Sequence, residues 1–210
     1  MAKVLKKSFT VGLGVIFFLA FYPVRIAQHF YEKVFQGASK TSIGCVEVFA
    51  EAFYTVEEAL KVILPEAQDI KEETKALSEE QKKSISSKAG VKFNPEFDNE
   101  YHIYIGQANG QATGYAFEDT VKGKWGPIHY MLAFDADGKI KDAIVLGLKE
   151  RRGRPIKERK FLGQYIGKSI SDPIKLNKDI KGIGGATISS RQMSSGIRKL
   201  VYVFNELYKK

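Results

Sequence analysis

Residues 182–190 read Gly-Ile-Gly-Gly-Ala-Thr-Ile-Ser-Ser, and no other stretch of this 210-residue chain has types and spacing so suited to chemistry. Gly184, Gly185 and Ala186 have little or no side chain, so the backbone can approach a ligand closely. An amphipathic segment follows, and the first N–H groups of a helix there have no helical acceptor. The two features together hold anions such as phosphate. Thr187, Ser189 and Ser190 bring three hydroxyls to the same helix start. By composition alone, an ordinary N-cap after a glycine-rich loop explains these residues equally well. Two familiar phosphate motifs are excluded. No strand leads into the loop with dinucleotide-fold spacing, and no Gly-Lys-Ser/Thr closes it as in a P-loop.

A second stretch, residues 149–160 (KERRGRPIKERK), packs seven cations and two anions into twelve positions. It lacks the interleaved aromatics of a nucleic-acid patch, so nucleic acid is not an expected partner. A face toward anionic lipid or toward another protein, or simply a solvated loop, fits better. The three histidines, His29, His102 and His129, have no metal-site spacing, and no serine–histidine–acid arrangement supports a hydrolase. A single cysteine, Cys45, excludes an internal disulfide and argues against a thiolate-bound zinc or iron–sulfur centre. It stands about twenty residues beyond the apolar N-terminal run, too far for lipoprotein processing, and reads as an inert thiol.

The elements that position the loop follow from periodicity. Residues 46–66 place Val56, Leu60, Ile63 and Leu64 on one helical face and end at Pro65. Ser78 and Gln81 form a capping-box signature for a second helix, and the acidic excess of residues 41–100 is expected mostly on the solvated faces of these two helices. From Tyr101 the period becomes two, giving strands over 101–105, 112–121, 128–134 and 140–148 with Asn109-Gly110 and the 135–138 segment as hairpin turns. A short helix should bury Phe161, Leu162, Tyr165 and Ile166 and stop at Gly167; a long amphipathic helix should span 189–208. The fold class is therefore α+β, an antiparallel sheet covered by helices.

The formal net charge of +9 is unevenly spread: +5 over residues 1–40, −6 over 41–100, −1 over 101–147 and +11 over 148–210. Lys3, Lys6 and Lys7 precede an uncharged run at 9–24, which reads as a transmembrane helix or the apolar region of a secretory signal. Tyr22-Pro23-Val24-Arg25 follows in place of a small-x-small cleavage site, which favours a retained single-pass anchor in residues 1–30. The lysines put its N-terminus in the cytoplasm, so the remainder lies in the periplasm or its equivalent, with the inner membrane as location and lipid as a partner. Residues 31–55 are the linker and 56–210 the folded domain.

The run 185–190 (GATISS) at the start of a C-terminal helix resembles the FMN-binding domain family of the G subunit of Rnf complexes and the C subunit of the sodium-translocating NADH:quinone reductase. Residues 123–131 (GKWGPIHYM), the strand at 143–148, residues 150–153 and residues 161–168 (FLGQYIGK) fall where the family carries similar segments, so the likeness spans roughly 56–205. The resemblance implies FMN as cofactor, esterified through its phosphate to Thr187 by a flavin transferase. Gly184, Gly185, Ala186, Ile188, Ser189 and Ser190 would cradle it. The ring would lie toward Glu150, Gly153 and the sheet, with Tyr130 or Trp125 stacked on it, and clustered positive charge would raise its potential. It implies an electron-transfer subunit working with other subunits of a membrane oxidoreductase complex, not a stand-alone enzyme. Flavinylated members carry an aspartate six residues before the threonine and a Ser or Thr three before; here those positions are Lys181 and Gly184, with Asp179 two residues too early. Around Glu150 the family's Thr-Pro-Gly-Leu-Gly is replaced by residues 151–155 (RRGRP). The alternative is a non-flavinylated structural or sensory subunit of the same fold.

Overall fold

Asn109 and Gly110 both adopt positive φ, 52° and 75°, making the two-residue turn between β3 (Tyr101–Ala108) and β4 (Gln111–Lys122). That backbone suits the right-handed twist of a hairpin, and Ala108 pairs directly with Gln111 across it. The computed structural model describes residues 51–150 and 152–209. β5 (Pro127–Phe134) and β6 (Ile140–Leu148) continue the meander. Two further strands complete it: β1 (Glu51–Ala52), paired with β6, and β2 (Asp69–Lys75), paired with β3. All pairs are antiparallel, in the order β1-β6-β5-β4-β3-β2. The expected α+β architecture holds.

The four helices are α1 (Val56–Ile63), α2 (Glu79–Ala89), the single-turn α3 (Arg159–Leu162) and the long α4 (Thr187–Tyr208). α4 and α2 cover one face of the sheet, where Phe134 stacks on Phe204 with ring centroids 4.7 Å apart among Phe117, Leu132, Ile197 and Leu200. α1 covers the other with Ala59, Leu60 and Ile63 against Tyr104, Ala116, Met131 and Leu146. Pleat alternation sends the consecutive residues Glu118 and Asp119 to opposite faces. On the α1 face, Glu118 takes a hydrogen bond from Tyr104 (3.1 Å) and pairs with His129 Nε2 (2.8 Å). Burial works to raise its carboxyl, but the His129 contact outweighs that and leaves it below its ordinary value. On the α4 face, Tyr130 donates to Asp119 (2.5 Å), and Lys199 bridges Asp119 (3.1 Å) and Asp98. One ammonium serves two buried carboxylates there, so burial raises Asp119 while the two acids hold Lys199 protonated.

Several expectations change. The helix foreseen over 46–66 is confined, among described residues, to Val56–Ile63 behind the cap at Thr55, and Glu51–Ala52 is instead a strand, inside the span read as linker. β2 was not foreseen. Its sequence, DIKEETK, has no apolar alternation because it is an edge strand: β3 supplies its ladder bonds, and charge protects its free edge. Asp69, Glu72 and Glu73 therefore belong to a strand and not to the acidic helices. Ile166 lies outside the buried face that takes Phe161, Leu162 and Tyr165, and is 40% exposed. No helix among the described residues is long and apolar enough to cross a membrane. The anchor expected in residues 1–30, with His29 and Cys45, lies outside the described residues.

Candidate functional site

The segment leading into α4 is fixed by side chains that serve its backbone. Asp179 accepts from the amides of Ile174 (3.1 Å) and Lys175 (2.8 Å) and pairs with Lys168 (2.9 Å), clasping a loop whose Ile174 and Asn177 have positive φ. Burial pushes the Asp179 carboxyl up, but the Lys175 amide, the Lys168 ammonium and the Ile174 amide outweigh it, so it stays below its ordinary value. Gln164 then grips Lys181 at both backbone atoms: its Oε1 accepts from Lys181 N (2.8 Å) and its Nε2 donates to Lys181 O (3.2 Å). Downstream, Ser190 Oγ accepts from Ile183 N (3.1 Å), and Ala186 N donates to Ile183 O (3.0 Å). Gly185, at φ +76°, closes this turn in a conformation that L side chains rarely adopt.

α4 begins two residues earlier than its periodicity suggested, so Thr187 is its first residue and is exposed. The N-cap position is Ala186, no side chain caps the start, and the first turn carries no acid. The helix start thus keeps its positive dipole end and unclaimed N–H groups beside an exposed hydroxyl. Gly184 and Gly185 are exposed, and a Cβ on either would meet nothing within 4 Å. Ile188 is 46% exposed. Ser189 and Ser190 are buried; Ser190 is spent on the loop, so Thr187 is the hydroxyl of the three presented to solvent.

Glu150, Gly153 and Ser189 converge as a packed support under the helix start. A Cβ on Gly153 would stand 2.8 Å from Glu150 Oε2 and 3.0 Å from Ser189 Oγ. Glu150 is buried and its Oε1 accepts from Trp125 N (3.2 Å), tying the 123–126 turn to the same point. Trp125 itself is half exposed, with the Lys124 ammonium 5.5 Å from its ring centroid. Tyr130 is a correction. Its ring is fully buried on the α4 face with its hydroxyl on Asp119, and it offers no surface for stacking.

The open space lies elsewhere. A cleft of about 570 Å³ borders the loop, lined by Pro155, Lys160, Phe161 and Gln164 on one side of the sequence and Lys181 and Ile183 on the other, with Glu158, Gly182 and Gly184 completing it. Sequence reasoning missed Lys160, Gln164 and the clasp at Asp179. The only available signal was a polar Gln164 set between apolar Phe161, Leu162 and Tyr165. Among the described residues no three metal-ligating side chains cluster.

Residues 123–202 match the FMN-binding domain family, and the chain carries a domain of that family, whose cofactor is FMN. A curated relative, the G subunit of the Na(+)-translocating ferredoxin:NAD(+) oxidoreductase complex of Acetobacterium woodii, is 26% identical over 161 residues, covering 72% of this chain and 74% of that protein. Among solved structures, NqrC of Shewanella oneidensis aligns with a TM-score of 0.48 at 15% identity, covering 74% of this chain and 88% of that one. The corresponding protein of the Na(+)-translocating NADH-quinone reductase of Parabacteroides distasonis aligns at 0.43 and 18%, covering 70% and 85%. The residues present fit the group. An uncapped helix start suits a phosphate, Thr187 is free to accept it, and glycines leave the approach open.

Proposed function

We propose that this chain is a membrane-anchored, extracytoplasmic electron-transfer subunit of a larger oxidoreductase complex, with FMN joined to Thr187 through a phosphoester. The observation that carries the reading is the start of α4, uncapped, free of acid and headed by an exposed threonine. Unpaired amides and the helix dipole favour the phosphate charge at that end. Bound FMN supplies the electron-carrying chemistry, and the chain supplies position and electrostatics. Gln164 and Asp179 hold the loop in place, Ser190 closes it onto the helix, and Glu150 with Gly153 and Ser189 buttresses the first turn from below. The lysine-flanked apolar run at 9–24 supports the anchor and its orientation. The kinship with a protein that works within a complex supports partner subunits on both sides of the flavin, and a flavin transferase as the modifying enzyme.

Co-expression of the full chain with a flavin transferase, followed by in-gel flavin fluorescence under denaturing conditions, tests the attachment. A fluorescent band that disappears in Thr187→Ala supports it. The rival reading, a non-flavinylated structural or sensory subunit, rests on Lys181 and Gly184 at positions where flavinylated members carry an acid and a hydroxyl. The Asp179 carboxylate is already engaged in its own loop and does not stand in for that acid. A colourless native preparation would select this rival.

A further inference from the structure

Lys160 and Lys181 come to the same cleft from α3 and from the loop before α4, and both are exposed. Neither ammonium has a carboxylate within salt-bridge distance among the described residues, although Arg154, Arg159 and Lys168 nearby are paired with Glu51, Asp142 and Asp179. Glu158 is the one acid in the lining, so the charged side chains there leave a net positive cleft. Lys181 differs from an ordinary surface lysine. Gln164 holds its N–H and its carbonyl at once, so its backbone is fixed and only the side chain is free to move over the opening. Phe161, Ile183 and Pro155 give the cleft apolar surface, and its volume lies within the range of small-molecule sites. Its Gly184 rim is three residues from Thr187, and the Ala186 to Ile183 hydrogen bond folds the intervening turn back on itself. By contrast, the space above Gly153 is filled by Glu150 and Ser189.

The geometry points to this cleft as the seat of the flavin ring, with Lys160 and Lys181 as the residues that set its midpoint potential by stabilising the negative charge acquired on reduction. The inference rests on the proposed flavin attachment and adds to it a place for the ring and two named cations. The charge balance is simple. Uptake of two electrons with two protons leaves the ring system neutral, whereas uptake of two electrons with one proton leaves one negative charge on it. Unpaired ammonium groups beside the ring favour the second outcome and make reduction easier. Because both lysines are exposed, their effect should weaken as salt is added.

The test is a spectroelectrochemical titration of the flavinylated full chain, with dithionite as reductant. It compares the parent with Lys160→Gln, Lys181→Gln, the double variant, Lys181→Arg and the control Lys178→Gln, an exposed lysine outside the cleft lining. The double variant should shift the two-electron equilibrium at least tenfold toward the oxidised form, a lowering of about 30 mV. Each single variant should fall between it and the parent, Lys181→Arg should keep the parent potential, and Lys178→Gln should not move it. High salt should narrow the gap. Unchanged potential in a double variant that retains its flavin would overturn the inference while leaving the attachment intact. A parent chain without flavin would overturn the underlying reading instead. Lys181→Arg guards against a folding artefact, since it keeps the charge and the Gln164 clasp.

Discussion

The starts of α1 and α2 are closed, and the start of α4 is open. At α1, Thr55 Oγ1 accepts from Glu58 N (3.2 Å) while Glu58 Oε2 accepts from Thr55 N (2.9 Å), and at α2 Ser78 and Gln81 repeat the exchange at 3.2 and 2.9 Å. Both first turns also carry acids, Glu57 and Glu58 in one and Glu79 and Glu80 in the other. α4 has neither device, although three hydroxyl residues lie in its first four positions. Ser190 is turned to the loop, Ser189 is packed beneath, and Thr187 faces solvent. The same chain that caps two helices from within leaves the third for an external anion. An uncapped start also costs stability, and here the Asp179, Gln164 and Ser190 hydrogen bonds hold the segment that a cap would otherwise help to order.

This contrast can be broken in graded ways. The largest stability effect is expected at Gly153→Ala, whose methyl would collide with Glu150 and Ser189. Thermal unfolding should show a loss of about 1–3 kcal/mol, the usual cost of overpacking, together with reduced flavin loading. Gly184→Ala, with open space around it, should change little, and equal effects at the two glycines would contradict a packed support on one side and an open approach on the other. Next come the closed helices. Thr55→Ala and Ser78→Ala should each cost about 1 kcal/mol by denaturant titration, with flavin content unaltered. The converse is Ala186→Asp, which would place an anion at the open start. It should stabilise the chain by roughly 0.5–1 kcal/mol and lower flavin loading; unchanged loading would mean that the amides of α4 do not serve the phosphate.

The smallest effect is a pH dependence of the loop. The Asp179 carboxyl is depressed in the folded chain, so its contribution to stability is present above its unfolded value and fades as pH falls through the folded one. Hydrogen exchange of the Ile174 and Lys175 amides should therefore lose protection at acid pH. In Asp179→Asn that acid-dependent loss should be absent. A parent loop whose protection does not respond to acid would remove Asp179 as its clasp.

The meander was readable because its strands alternate and Asn109-Gly110 marks a hairpin; β2 was not, because an edge strand borrows its order from β3 and carries no apolar face of its own. The anion loop was legible as a local pattern, with Thr187, Gly184 and Gly185 where that pattern puts them. Tyr130 was misplaced for a different reason. Periodicity says that neighbours on a strand face opposite ways but not which face a helix will cover, and here α4 covers the face that holds Tyr130 and its cross-strand partner Asp119. The cleft escaped notice because its two sides come from separate segments, 155–164 and 181–184, which the Gln164 clasp draws together. Lys199 likewise meets Asp98 and Asp119, which lie 101 and 80 residues away in sequence, so the charge balance of that cluster belongs to the fold alone.

The central claim is that the exposed threonine at the open helix start is the attachment point. Its most direct test is the intact mass of the full chain and of Thr187→Ala, each produced beside a flavin transferase. A parent heavier by one FMN phosphoester and an unmodified variant are the predicted result. An unmodified parent, or the same increment on both chains, would contradict it.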